Sequence, residues 1–233
     1  MEERKFYSEF IRPGELCFDI GAHIGKKTKV FLELGARVIA VEPQDCISLI
    51  PDQKNLIRLQ RALGELDCKA KMMISNVGTL STLSKEWISA VRRSGRFPPK
   101  HYEWKEEKEV DMMTLDELIK KYGTPSFIKI DVEGYESEVI GGLSKPVNTI
   151  SIEFTPERIN QTFHCINYLS ILGEIELNYS FGEPLELVLK EWVTPKELIQ
   201  IFLDYKKYFS WPRGGERNST EGGDVYIRFK NGN

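Results

Sequence analysis

The sequence predicts an α/β protein with a mainly parallel sheet covered by helices on both faces, and three features point to it. Compact apolar runs recur at Leu16–Ile20, Arg37–Glu42, Phe127–Asp131 and Asn148–Glu153, and these read as buried strands. Stretches with helical spacing separate them. The 233 residues suffice for one sizeable domain and are too few for two, so residues 1–233 are expected to form a single unit.

Taken in order, a short charged helix over about 2–10 leads to the Pro13-Gly14 turn and the first strand. A glycine-containing loop follows at once. Lys26–Leu34 carries Val30, Phe31 and Leu34 at helical spacing with Gly35 as a cap, and the second strand then ends on Glu42. Leu56–Gln60 continues the sheet, with further strands at about 70–75 and 109–113. A helix over Leu115–Tyr122 has Asp116 and Glu117 in its first turn, where the helix dipole favours them. A helix over about 135–142 ends in Gly141-Gly142, and a longer one follows Pro156. Strands are expected at about 174–180, 185–191 and 225–229, with a helix from Pro195 to about 208.

Residues 80–108 fit this alternation worst. Arg92, Arg93, Arg96 and Lys100 have no acid between them and are interleaved with Trp87, Phe97, His101, Tyr102 and Trp104, while Gly95 and Pro98-Pro99 interrupt regular structure. The segment reads as an insertion over the sheet. It is either a solvated helix and loop with aromatics tucked onto the domain or a lid that touches a substrate through Arg92, Arg96, His101, Tyr102 and Trp104.

Composition narrows the class. Hydrophobic residues at 41% and charged residues at 29% describe an ordinary folded chain, and the net charge of −3 lacks the basic footprint of a nucleic-acid binder. The four cysteines have no C-x-x-C spacing, and Cys17 and Cys165 lie in apolar surroundings, consistent with reduced thiols. No apolar run approaches the ~18 residues of a membrane span, and the first residues do not resemble a secretory signal. A cytoplasmic protein is expected, and the Asn218-Ser219-Thr220 sequon is taken as chance. Oligomeric state is not legible, and a homo-oligomer is allowed.

The strongest local signal is Asp19-Ile20-Gly21-Ala22-His23-Ile24-Gly25, between the first strand and a helix. Glycines there let the chain turn tightly and let a ligand approach the backbone, and a helix N-terminus presents free N–H groups. The spacing is not the G-x-G-x-x-G of dinucleotide-binding loops. Glu42, 23 positions after Asp19, ends the second strand, where a carboxylate can accept both hydroxyl hydrogens of a ribose. Loop and acid together suggest an adenosine-type ligand. Asp131 and Glu133 follow a later buried strand and Glu153 ends the next, which would bring these acids to the same sheet edge, as catalytic groups or as helix-capping, solvated acids.

These residues resemble a known family. Phe18 to Gly25 with Val41-Glu42-Pro43, Ala62-Leu63-Gly64, Thr114-Leu-Asp-Glu-Leu118 and Ile128-Lys-Ile-Asp-Val-Glu-Gly134 are similar to the FkbM-type S-adenosylmethionine-dependent methyltransferases, over about residues 11–155. The resemblance implies a Rossmann-like seven-stranded sheet with a terminal antiparallel strand. It implies that Asp19, Gly21, Ala22 and Gly25 hold the methionine end of the cofactor, that Glu42 beside Pro43 holds the ribose, and that Gln60, Arg61 and Ala62 lie along the adenine. His23 stands where the family commonly has Asn, and is read as capping the loop in preference to a catalytic role. Asp131 would also border the cofactor.

The expected reaction is methyl transfer to a hydroxyl of a sugar-containing or other small acceptor, with Asp131 as base or orienting group and Glu133 and Glu153 beside it. An ordinary Asp, with a pKa of about 3.9, is a weak base for an alcohol, so these neighbours or a histidine such as His101 would have to assist. Asp131 and Glu153 also offer oxygen ligands to Mg²⁺, so a divalent metal is permitted but not required. The alternatives are an N- or RNA methyltransferase, a catalytically silent cofactor-binding protein, and an NAD-dependent reductase. The last is disfavoured because the sole Tyr-x-x-x-Lys spacing, Tyr226 to Lys230, falls in an expected strand, where four positions span ~13 Å.

Overall fold

A computed structural model describes residues 2–182, 186–208 and 222–230. The elements in order are α1 Glu2–Tyr7, β1 Leu16–Ile20, α2 Lys26–Glu33, β2 Arg37–Val41, β3 Leu56–Leu59, β4 Ala62–Leu63, β5 Lys69–Ser75, α3 Lys85–Ser94, β6 Trp104–Met113, α4 Leu115–Tyr122, β7 Phe127–Ile130, α5 Glu136–Gly141, β8 Thr149–Phe154, α6 Ile159–Leu172, β9 Ile175–Phe181, α7 Pro195–Tyr208 and β10 Gly223–Phe229.

Seven strands form one sheet in the order β3-β2-β1-β7-β8-β10-β9. All run parallel except β10, the last in the chain, which pairs antiparallel with β8 and β9. The expected α/β class and mainly parallel seven-stranded sheet are therefore present, with the antiparallel strand inside the sheet and β9 at its edge. Because side chains alternate along a strand, Leu16, Phe18 and Ile20 face one core with α4, α5, α6 and α7, while Cys17 faces another with Phe6, Tyr7, Val30 and Phe31 of α1 and α2. Cys17 and Cys165 are both buried. Among the described residues no helix is long and apolar enough to cross a membrane.

Chain direction across the sheet reverses between β1 and β7, which is where doubly wound folds open a crevice beyond their strand ends. Ile20 is in register with Val41 on one side and Ile130 on the other. The residues that come next, Gly21, Glu42 and Asp131, thus leave the sheet side by side.

The residues 80–108 fold as part of a second, three-stranded sheet ordered β4-β6-β5, with α3 laid against it. Ser84 caps α3 by accepting the Trp87 N–H, and Gly95 ends it in a left-handed turn. β6 begins at Trp104, well before the expected 109, and pairs antiparallel with β5. The strand expected at 185–191 is not formed over its described part, 186–191. There the Asn178 side chain bonds both the N–H and the C=O of Leu189, substituting for ladder hydrogen bonds, so the segment only borders β9. The Asn218 sequon lies outside the described residues.

Candidate functional site

A cleft of about 210 Å³ opens at the carboxyl ends of β1, β2 and β7. Its lining includes Asp19, Gly21, Ala22 and His23 from the first loop, Glu42, Pro43 and Gln44 after β2, Arg61 and Ala62 after β3, and Asp131 and Glu133 after β7. Residues separated by more than 100 positions meet here because β1 is central to the sheet.

Gly21 makes the edge possible. It takes φ +84°, and a Cβ built on it would lie 1.8 Å from the carbonyl oxygen of Asp131. The loops after β1 and β7 therefore touch backbone to backbone, and the Asp131 N–H donates to the Ile20 carbonyl at 2.9 Å. Glu42 is 4% exposed and its two carboxylate oxygens accept the backbone N–H groups of His23 at 3.1 Å and Gln44 at 2.9 Å. It ties the first loop to the second and still has lone pairs for a ligand's hydroxyls. His23 is held at φ +48° in this loop.

Asp19 is 2% exposed and accepts a 2.5 Å hydrogen bond from the Thr28 hydroxyl of α2. Burial pushes its carboxyl up to about 6, against the Thr28 hydrogen bond and the neighbouring Lys129, which favour ionisation. Lys129, 2% exposed, pairs with Asp224 of β10 at 2.9 Å and with Asp131 at 3.2 Å. Asp131 keeps 40% of its side chain exposed in the cleft.

The loop Asp131–Gly134 is gripped on all sides. Glu136 accepts the N–H groups of Val132 at 3.2 Å and Gly134 at 3.1 Å, Thr82 donates to the Glu133 carbonyl at 2.8 Å, and Gln161 donates to the Gly134 carbonyl at 3.1 Å. Trp87 packs where a Gly134 side chain would stand, 2.4 Å from an added Cβ. Glu133 is thereby held at φ +55°, a conformation that a non-glycine residue adopts only when its surroundings impose it. Asp131, Glu133 and Glu153 each bring one carboxylate oxygen within 4.8 Å of the others. Burial, then mutual repulsion, pushes Glu133 and Glu153 well above the usual carboxylate range, and burial pushes Glu136 up to about 7.

Some expected site residues stand elsewhere. Gly25 backs onto Ile50 and heads α2 without bordering the cleft. Gln60 turns to the surface, donating to Asp45 at 2.5 Å. Glu153 lies behind Asp131 and Glu133, outside the cleft lining. In the insertion, Trp104 is a core residue: it is 6% exposed, its indole N–H donates to the Leu80 carbonyl, and it packs against Trp87. Arg92 stacks over Trp104, Arg96 pairs with Glu157 at 3.4 Å, Tyr102 packs on Phe97, and His101 is exposed. None of these five lines the cleft. The segment that does is Ser81–Leu83, which carries no chemical signature in sequence. Lys129 is a further residue of the site that no motif names, although a lone cation inside Phe127-Ile-Lys-Ile130 signals a buried carboxylate partner.

Comparison with known proteins decides the family. The methyltransferase FkbM domain profile matches residues 19–205. The chain belongs to this family. Its members are class I S-adenosylmethionine-dependent methyltransferases, and the methyltransferase described here has the corresponding fold. No curated protein matches the sequence. Among solved structures, the methyltransferase is similar to precorrin-6Y C5,15-methyltransferase from Geobacter metallireducens, at 11% identity over 98% of this chain and 89% of that one, with a TM-score of 0.46. It is also similar to an S-adenosylmethionine-dependent O-methyltransferase from Thermotoga maritima, at 11% identity over 98% and 64% of the two chains, with a TM-score of 0.43.

Proposed function

We propose that the methyltransferase binds S-adenosylmethionine in the cleft and transfers its methyl group to a hydroxyl of a small acceptor. The observation that carries this reading is the register of β1, β2 and β7, which sets Asp19 with Gly21, Glu42 and Asp131 along one edge. The donor set suits the cofactor. Asp19 would take its amino group, the loop Gly21–His23 its carboxylate, Glu42 its ribose, and Arg61 with Ala62 its adenine. When bound, the cofactor supplies an electrophilic methyl on a sulfonium, already activated for transfer. What remains for the protein is to align the acceptor oxygen, exclude water and accept a proton. Asp131, exposed in the cleft and anchored through Lys129, would orient that hydroxyl and receive its proton. A small acceptor, cytoplasmic location and a single domain with 80–108 folded over the sheet are parts of the same reading.

The experiment is a transfer assay with S-adenosylmethionine against panels of sugar and other small alcohols, amines and RNA, scored by the labelled product. Methylation of alcohols is expected. Product formed only on amines or RNA would overturn the O-directed reading.

The ionisation of Asp19 adds a pH prediction. Its folded pKa of about 6 exceeds the usual value of 3.8, so the ionised form costs stability, and that cost shrinks as pH falls below about 6 and is gone near 3.8. Cofactor binding runs the opposite way, because only the ionised carboxylate holds an ammonium group. Affinity for S-adenosylhomocysteine should weaken as pH drops from 7.5 to 5 while the ligand-free fold keeps or gains this contribution. Calorimetry and thermal melting at both pH values check this. Asp19→Asn should bind weakly at every pH and lose the dependence.

A further inference from the structure

We infer that Asp131, Glu133 and Glu153 form a site for a hard divalent cation, Mg²⁺ or Mn²⁺, between the cleft's Asp131 and Glu133 and the Glu153 carboxylate behind them. Three carboxylate oxygens lie within 4.8 Å of one another. That separation suits a shared ion, because oxygen ligands each ~2.0–2.4 Å from one cation stand at most ~4–4.8 Å apart. Like charges at this distance need compensation.

Among the described residues only one of the three carboxylates, Asp131, has an ion pair. Lys129 bonds Asp224 and one oxygen of Asp131, and Arg96 is paired with Glu157. Glu136, the next carboxylate, is satisfied by two backbone N–H groups. Glu153 is left with its Oε2 shut off from solvent and without a hydrogen-bond partner among the described residues, which independently signals a missing ligand. The backbone is built to present the cluster: Glu133 is locked at positive φ by Thr82, Glu136, Gln161 and Trp87 acting on its loop, while Glu153 comes from the neighbouring strand β8. A set of carboxylate oxygens suits Mg²⁺ or Mn²⁺.

A cation here would bring an acceptor's oxygen, or a pair of vicinal hydroxyls, beside Asp131. That use rests on the methyl-transfer reading above, whereas binding of the ion does not. The test is an Mn²⁺ titration of the full chain, with and without S-adenosylhomocysteine, following free Mn²⁺ by electron paramagnetic resonance. One site per chain is expected. Glu153→Gln and Glu133→Gln should each weaken it at least about tenfold, because each removes a charged oxygen ligand. Glu157→Gln, which alters only the contacts to Arg96 and to the Ser94 hydroxyl, should leave it intact. Thermal melting and S-adenosylhomocysteine affinity report whether each variant folds. No Mn²⁺ binding at millimolar concentration, or equal binding by wild type and a folded Glu153→Gln variant, would overturn the site. If the wild type also fails to bind S-adenosylhomocysteine, the cofactor reading falls separately.

Discussion

Asp131→Asn is expected to lower kcat by about 10²-fold or more while S-adenosylhomocysteine affinity stays within about threefold. The asymmetry follows from where the side chain stands. Its backbone is fixed by the Ile20 hydrogen bond and by contact with Gly21, neither of which involves the carboxylate. The carboxylate is 40% exposed in the cleft, and its pair with Lys129 can be lost because Asp224 still holds that ammonium group at 2.9 Å. Asparagine keeps the size and can still accept a hydrogen bond, but it cannot take a proton from an acceptor hydroxyl. Steady-state kinetics with the best alcohol, paired with calorimetry, separates the two effects. Full turnover in a variant that binds cofactor normally would remove Asp131 from the chemistry.

Among the described glycines, Gly21 is the one where a change to alanine is expected to be most damaging. The new Cβ would stand 1.8 Å from the Asp131 carbonyl oxygen, and φ +84° is itself unfavourable for alanine. Neither loop can retreat freely, since Gly21 and Ala22 both donate to the Val41 carbonyl and Asp131 donates to Ile20. Forcing β1 and β7 apart at their carboxyl ends should cost about 3 kcal/mol or more, seen as a lower urea midpoint. It should also reduce S-adenosylhomocysteine affinity by more than about tenfold, because the cleft's two walls are displaced together. Gly14→Ala is a useful contrast: its φ is also positive, at +87°, but an added Cβ would meet nothing within 4 Å. A Gly21→Ala protein as stable as that control would mean the two loops do not meet as described.

The strands that build the site were readable because each is an apolar run buried on both faces, a pattern that parallel sheets demand. Leu16–Ile20, Arg37–Val41 and Phe127–Ile130 appear where the runs place them, and the acids just beyond them reach one edge as expected. What escaped reading depends on partners far along the chain. β4 is two residues long and exists only because β6 lies beside it, 50 positions later. The pair Lys129–Asp224 joins residues 95 apart. In sequence Trp104 reads as a substrate-touching lid residue, yet its ring closes a local core with Trp87, and that core in turn shapes the loop carrying Glu133. The 185–191 stretch has strand-like composition, but a neighbouring asparagine side chain takes the hydrogen bonds a strand would make.

The measurement that bears most directly on the account is calorimetric titration of the wild type and Glu42→Ala with S-adenosylhomocysteine and, separately, NADH. Glu42 is buried and bonded to the loops on either side of the cleft entrance, so it is the group whose loss should be felt most clearly by a ribose. The predicted result is one S-adenosylhomocysteine site per chain, weakened by about 10–100-fold in Glu42→Ala, with no binding of NADH. Equal affinity in a folded Glu42→Ala protein, or binding of NADH in place of S-adenosylhomocysteine, would contradict it.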